Sequence, residues 1–423
     1  MVRVGCKKTE LGEIPANWHI KTLGEIGKFT KGKGIAKKDI SKEGMKCILY
    51  GQLYTTYKER ILSVNTFTNT KVKNPVIGQS NDLLFPSSGE TAIDIATSSA
   101  LNTNNVYIGG DINLFRPSTL IDSNFLSYQI NSIRKADLSK LAQGSSVYHL
   151  YADNLANFKV VLPPLNEQQK IADILSTLDD QIQQTDQLIK RTKELKKGLM
   201  QKLVIKGTGH SSFKETEVGK IPVTWTIAKV DDIADFVGSG VTPRGGQKVY
   251  KVEGIPFIRS QNVYPEGLVL EDIVYIDKET NKKMNRSEVQ ENDVLLNITG
   301  ASIGRCTYVP VGFGKANVNQ HVCIIRSNGR VLPTYLSNYI NSSLGQIQIK
   351  KSLNGSSREG LNYQQVRALL IAIPPIEEQQ KISNILGTVD NRIRENTFTM
   401  ERLLALKKGL MQQLLTGKIR VKV

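Results

Sequence analysis

Pro163-Pro164-Leu165-Asn166-Glu167-Gln168-Gln169-Lys170-Ile171 returns as Pro374-Pro375-Ile376-Glu377-Glu378-Gln379-Gln380-Lys381-Ile382, 211 residues later. The match continues without a gap: residues 163–203 and 374–414 share 21 identities in 41 positions. A period this long marks a duplicated domain, because solenoid repeats recur every 20–50 residues or so. The chain therefore reads as two copies of one plan, each ending in the same signature.

Each signature predicts the start of a long helix. Proline is tolerated in a first helical turn and not in a helix interior. Glu167 and Glu378 fall in that first turn, where the helix dipole favours an anion. Downstream, a stripe of apolar or small residues runs Ile171, Leu175, Leu178, Ile182, Thr185, Ile189, Thr192, Leu195, Leu199, Leu203. In the second copy it runs Ile382, Leu386, Val389, Ile393, Asn396, Met400, Leu403, Leu406, Leu410, Leu414. The steps alternate mostly between three and four, as along a coiled-coil seam. Such a helix is longer than most globular ones, which average about 11–12 residues. The seams predict that the two helices pair with each other; packing of each on its own globular domain is the alternative.

Composition limits what else the chain can be. Its 423 residues suffice for two or three domains, and 39% hydrophobic with 22% charged residues is ordinary for a globular protein. No run approaches the roughly 18 apolar residues of a membrane span, and the N-terminus lacks a signal-peptide core. Cys6, Cys47, Cys306 and Cys323 show no metal-ligand spacing and no disulfide framework, so a cytoplasmic location is expected. The net charge of +17 favours a polyanionic partner, nucleic acid first and acidic membrane second.

A second repeat precedes each helix. Thr9-Glu10-Leu11-Gly12-Glu13-Ile14-Pro15-Ala16-Asn17-Trp18 recurs as Thr216-Glu217-Val218-Gly219-Lys220-Ile221-Pro222-Val223-Thr224-Trp225 and holds the only two tryptophans. Both tryptophans are expected to be buried anchors. Between these lead-ins and the helices, each copy reads as mixed strand and turn. Strand candidates are Cys47–Tyr50, Leu83–Phe85, Val106–Ile108, Ile255–Ile258 and Val294–Leu296, with helices at Ser123–Ile133 and Leu332–Ile340. Lys31–Gly34 reads as a turn, and Gly238–Pro243 and Lys206–Ser212 as loops. The domain plan is 1–162 globular, 163–206 helix, 207–373 globular, 374–423 helix and tail. The fold class is α+β with a pseudo-twofold duplication: two mixed α/β domains at opposite ends of a pair of long antiparallel helices.

The motifs of catalysis are missing. There is no phosphate-binding G-x-x-x-x-G-K-[ST], no dinucleotide G-x-G-x-x-G, no zincin pattern, and only apolar Leu162 and Ile373 precede the double prolines. What remains is recognition chemistry: Lys31, Lys33, Lys37, Lys38 and Arg60 in the first copy, and Arg244, Lys248, Arg259, Gln261, Asn262 and Arg305 in the second. Arginine can bind guanine bidentately, glutamine or asparagine can bind adenine, and lysine mostly neutralises phosphate. The loops with Ser145 and Ser146, and with Ser356, Ser357 and Arg358, could offer hydroxyls and backbone N–H groups to phosphate. For any one of these residues a solvated surface role is the competing reading. The class-level rivals are a coiled-coil clamp that binds nucleic acid nonspecifically and an enzyme with an unrecognised site.

The repeated Pro-Pro-[Leu/Ile]-x-Glu-Gln-Gln-Lys-Ile with its helix, and the paired Gly-x-Ile-Pro-x-x-Trp lead-ins, resemble the specificity (S) subunits of type I restriction–modification enzymes across essentially the whole chain. The resemblance implies that each globular domain is a target recognition domain for one half of a bipartite, asymmetric DNA site. The helices would set the spacing and dock two methyltransferase subunits, with two restriction–translocase subunits added for cleavage. It implies no catalytic centre and no cofactor in this chain, with S-adenosylmethionine, ATP and Mg²⁺ held by the partner subunits.

Overall fold

The computed structural model describes residues 5–243, 245–354 and 360–422. The chain divides into two compact units, Met1–Asp186 with Phe398–Val423, and Gln187–Thr397. The cuts fall inside the long helices, which span Leu165–Lys206 and Ile376–Leu414. Each unit thus holds a globular part, the first half of one helix and the second half of the other.

In the first unit a mixed sheet places Gly27–Lys31 beside Ile112–Pro117, then Leu83–Pro86, Ser99–Leu101 and Arg60–Ile61. In the second, Ala234–Ser239 lies beside Val322–Ser327, then Val294–Asn297 and Cys306–Tyr308. Both sheets carry a helix against the core, at Ser123–Asn131 and Pro333–Asn341, close to the predicted spans. The repeated Asn-Asp before the third of these strands has a common cause. Asn81 and Asn292 take left-handed φ values of 72° and 70°, a conformation asparagine tolerates. The buried Asp82 and Asp293 accept paired bonds from Arg116 (2.8 and 2.7 Å) and Arg326 (2.8 and 2.8 Å). These charge-assisted bonds raise both arginine pKa values and leave the core carboxylates satisfied.

Three sequence features meet at each tryptophan. Trp18 is fully buried and its indole Nε1 donates to Glu167 at 3.0 Å; Trp225 donates to Glu378 at 2.9 Å. Both carboxylates also receive a group that follows the end of the other helix. Arg420 grips Glu167 with two bonds of 2.6 and 2.7 Å, and His210 meets Glu378 at 2.8 Å. Gly207 and Gly417 end the helices at φ 66° and 65°, where a side chain would be strained. At Gly207 a Cβ would approach Trp225 Cζ2 to 2.8 Å, and at Gly417 it would approach Trp18 Cη2 to 3.3 Å. The loop at 206–212 is therefore pinned rather than a plain spacer.

The seam residues mostly face inward, with two departures. Ile171, Leu175, Leu178, Ile182, Ile382, Leu386 and Ile393 are buried, and Leu199, Val389 and Leu410 partly so. The first turns do not pair with a helix alone: Ile171 and Leu175 share a core with Trp18 and Phe125 as well as with Leu414. Ile382 and Leu386 do the same with Trp225, Tyr335 and Leu203. Leu195 and Leu406, expected in the seam, are instead 55% and 49% exposed. Their neighbours Lys196 and Lys407 turn inward to make ion pairs, Lys196 with Asp390 at 2.6 Å and Lys407 with Asp179 at 2.7 Å. The pairs are copies of one another at the 211-residue offset, with lysine and aspartate exchanged between the helices.

Three outcomes test these contacts. Glu378→Ala leaves the buried Trp225 N–H without an acceptor and is expected to cost about 1–3 kcal/mol in urea unfolding. Burial pushes the Glu378 carboxyl up, yet bonds from Thr208, Trp225 and His210 hold it below the usual glutamate 4.5. Its contribution is therefore full above pH 4.5 and lost as pH falls through the lower folded value, so Glu378→Gln should flatten that part of the acid limb. Lys196→Ala strands a half-buried Asp390 and should cost at most about 3–5 kcal/mol, whereas Lys196→Met with Asp390→Leu should cost far less. A loss in the double variant equal to the sum of those in Lys196→Met and Asp390→Leu alone would show that the charges are not coupled.

Candidate nucleic-acid interface

One end of each sheet gathers the loops that differ most between the copies. In the second unit the Asn319 N–H donates to the Ile258 carbonyl at 3.1 Å, and Ile298 N–H to the His321 carbonyl at 3.0 Å. Leu361 N–H donates to Ile298 at 2.8 Å, so segments 258–262, 297–305, 319–321 and 360–363 are tied by backbone bonds. Side chains add Ser239 to Tyr363, Thr242 to Gln320, and Thr299 to His321. The first unit repeats the framework: Gly109 N–H to Ile48 at 2.9 Å, Gly32 N–H to Ile112 at 2.8 Å, and Ser87 N–H to Asp111 at 2.8 Å. Gly32 and Gly240 sit where the chain presses on the next loop; a Cβ would overlap the Gly109 or Val318 carbonyl oxygen.

The structure sorts the recognition residues chosen from sequence. Lys31 ends its strand, exposed, 3.9 Å from Asp111, and exposed Lys33 follows it with its N–H bonded to Ile108. Lys37 and Lys38 project from an exposed single turn at Lys37–Asp39. Ser145 and Ser146 lie on an exposed loop closed by the Gln143–His149 bridge. Exposed Lys248 sits on the turn Gly246–Val249, and Gln261 is exposed within Ser260–Asn262. The Arg305 guanidinium lies 4.9 Å from the Tyr264 ring centre, a cation–π pair that holds it ready on the same loop as Thr299.

One choice is corrected, and two others are partly engaged by the fold. Arg60 is turned to the helix, 3.2 Å from the Ser176 carbonyl and from Asp180. Asn262 is only 1% exposed, accepting from the Arg259 N–H and donating to the Val269 carbonyl, both at 2.9 Å, so it cannot reach a base. Arg259 is held by the Asp272 carbonyl at 2.8 Å and by the Tyr250 ring. Residue type alone suggested these three; the Asn262 amide is taken up by the fold, and Arg60 and Arg259 each commit one guanidinium nitrogen to it. Arg244, Ser356, Ser357 and Arg358 lie outside the described residues. The structure also gathers Gln320, His321, Thr242, Thr299 and Tyr363 at this end of the sheet, none of them chosen from sequence. The available signal was Asn319-Gln320-His321, a polar trio between two apolar strands.

Two other features carry no competing chemistry. A cleft of about 790 Å³ lies between the 52–66 segment and the helices, lined by Glu59, Asp179 and Asp180. Those carboxylates are paired with Lys407 and Arg60, and their charge disfavours phosphate there. Among the described residues no group of three or more His, Cys, Asp or Glu side chains could hold a metal ion, and no helix is long and apolar enough to cross a membrane.

The family model for the type I restriction modification DNA specificity domain matches the chain twice, at residues 15–194 and 222–401. The chain belongs to that family. The specificity subunits so identified recognise DNA and are themselves non-catalytic, in accord with the missing catalytic motifs. Among its relatives is the putative type I restriction enzyme MjaX specificity subunit of Methanocaldococcus jannaschii, 26% identical over 98% of this chain and 97% of that one. The MjaVIII specificity subunit of the same organism is also 26% identical, over 97% and 94%. In fold the chain is similar to the crystal structure of a type I S subunit from M. genitalium, with a TM-score of 0.63 at 14% identity over 94% and 96% of the two chains.

For this specificity subunit the exposed lysines are a simple test of backbone contact. Lys37→Gln with Lys38→Gln should weaken binding to all duplexes alike. The slope of log affinity against log salt should fall by up to about 1.8, at about 0.9 for each phosphate that a lysine no longer neutralises. An unchanged slope would place both lysines off the DNA.

Proposed function

We propose that this specificity subunit reads a bipartite, asymmetric DNA target, one half-site per globular domain, and docks methyltransferase and restriction subunits that carry the chemistry. The observation that carries the reading is a shared framework with different chemistry at the same place. The backbone bond from Gly109 to Ile48 matches that from Asn319 to Ile258, so Gly110-Asp111 stands where the second unit has Gln320-His321. The strand partners Asn113–Lys31 and Cys323–Ser239 likewise set Lys31 against Ser239. Two readers built alike but equipped differently suit two different half-sites, and the +17 charge suits the duplex backbone.

The long helices are proposed as an antiparallel spacer between the two recognition domains. In each unit the start of one helix and the end of the other meet at a tryptophan, and the lysine–aspartate pairs are reciprocal, as a twofold-related pairing requires. Half-sites about one turn apart, roughly 34–36 Å, would then face the same side of the duplex. Two methyltransferase and two restriction–translocase subunits would bind S-adenosylmethionine, ATP and Mg²⁺, with the whole complex in the cytoplasm.

Exchange of residues 207–373 for those of a relative tests the division of labour. Methylome sequencing of cells with the hybrid should show one half-site changed, the other retained and the spacing kept. Change in both half-sites, or none, would end the one-domain, one-half-site reading. Methylation without any sequence preference would favour a nonspecific clamp.

A further inference from the structure

We infer that the turn Asn319–His321 is the base-reading element of the second domain and that Gln320 reads an adenine in its half-site. This rests on the half-site reading above and adds the residue and the base. The turn joins the strands Ala316–Val318 and Val322–Ser327 and is held by the fold rather than by solvent. The Asn319 N–H donates to the Ile258 carbonyl at 3.1 Å, the buried Asn319 side chain accepts the His321 N–H at 3.1 Å, and Gly240 presses on the Val318 carbonyl from below. On this fixed backbone the Gln320 side chain is exposed.

The hydrogen bonds around that side chain fix its orientation. Gln320 Nε2 lies 3.0 Å from His321 Nε2, and an amide NH₂ can only donate, so His321 Nε2 is the bare nitrogen. His321 Nδ1 then carries the proton and donates to Thr299 Oγ1. On the other side the Thr242 hydroxyl donates to Gln320 Oε1. The amide is clamped from both ends, with its carbonyl and its NH₂ in assigned places. Each end keeps one unused capacity, a second lone pair on Oε1 and a second N–H on Nε2. An acceptor and a donor side by side complement the major-groove edge of adenine, which offers the N6 amino donor and the N7 acceptor. Guanine offers two acceptors there and cytosine a donor alone, so neither engages both amide atoms. Ordering a glutamine side chain normally opposes binding; here the fold has already ordered it. The first domain has Gly110 and Asp111 at the matching positions, so its half-site has no such amide reader.

The test uses the chain assembled with its methyltransferase subunits and a library of duplexes randomised across both half-sites. Gln320→Ala should reduce discrimination at a single A·T pair by about 5- to 150-fold and leave the other half-site untouched. Gln320→Glu keeps the shape but presents only acceptors, so preference at that pair should move towards cytosine, whose N4 amino group donates. Since Gln320 is exposed, both variants should melt as the wild type does. Full discrimination in both variants, an altered position that is not adenine, or changes in both half-sites would overturn the assignment of Gln320. A wild-type complex with no sequence preference would overturn the half-site reading itself, and the assignment with it.

Discussion

A tryptophan buried to its nitrogen needs an acceptor inside the core, and in both units that acceptor is a carboxylate at the first turn of a long helix. An unpaired indole N–H or a lone buried carboxylate would each be costly, so neither residue is tolerable there without the other. The bond therefore makes the lead-in and the helix start interdependent, although 149 residues separate Trp18 from Glu167 and 153 separate Trp225 from Glu378. The glycine and the cation that follow the opposite helix, Gly417 with Arg420 and Gly207 with His210, close the same pocket. One carboxylate thus orients the globular domain, the start of one helix and the end of the other within each unit. Rotation of a helix about its axis would break all of these bonds at once.

The lysines inside the seam serve specificity more than strength. Replacing a buried ion pair by apolar side chains is often neutral or stabilising, so Lys196–Asp390 and Lys407–Asp179 are weak as stabilisers. What they supply is registry. A seam of leucines can slide by a turn with little loss, but a slid lysine would leave a charge buried without its partner. The Tyr128 hydroxyl, which donates to Asp179 at 2.6 Å, fixes the acceptor of the Lys407 pair still further.

The duplication, the helices and the α+β class were legible because they rest on local and repeated signals: Pro-Pro starts, three–four spacing, and strand–turn alternation. The Trp–Glu bond was not, since each motif was recognised by its own repeat and nothing local says that the two touch. The seam failed at one step for a definite reason. Leu195 and Lys196 both fit the spacing, hydrophobicity selected the leucine, and the deciding partner, Asp390, lies 194 positions away. The recognition residues were chosen by type in the same way. Arg60, Arg259 and Asn262 have the right chemistry for DNA, but Asn262 is buried and each arginine gives part of its guanidinium to a carbonyl of the fold.

The turn Asn319–His321 shows how this fold can change a surface side chain without changing its frame. Asn319–His321 and its counterpart at Gly109–Asp111 are fixed largely by backbone bonds, to Ile258 and to Ile48, which do not depend on the side chain at the next position. Substitution at the tip is therefore cheap in stability, since the frame neither gains nor loses a buried group. The tryptophan, glutamate and seam positions have no such freedom, because each is buried against a partner of fixed chemistry. Constraint and licence are thus sorted by burial along the sequence. The two copies remain alike at the tryptophan, the glutamate and the lysine–aspartate pair, and differ at the tip of this turn, where the frame carries a side chain out to solvent.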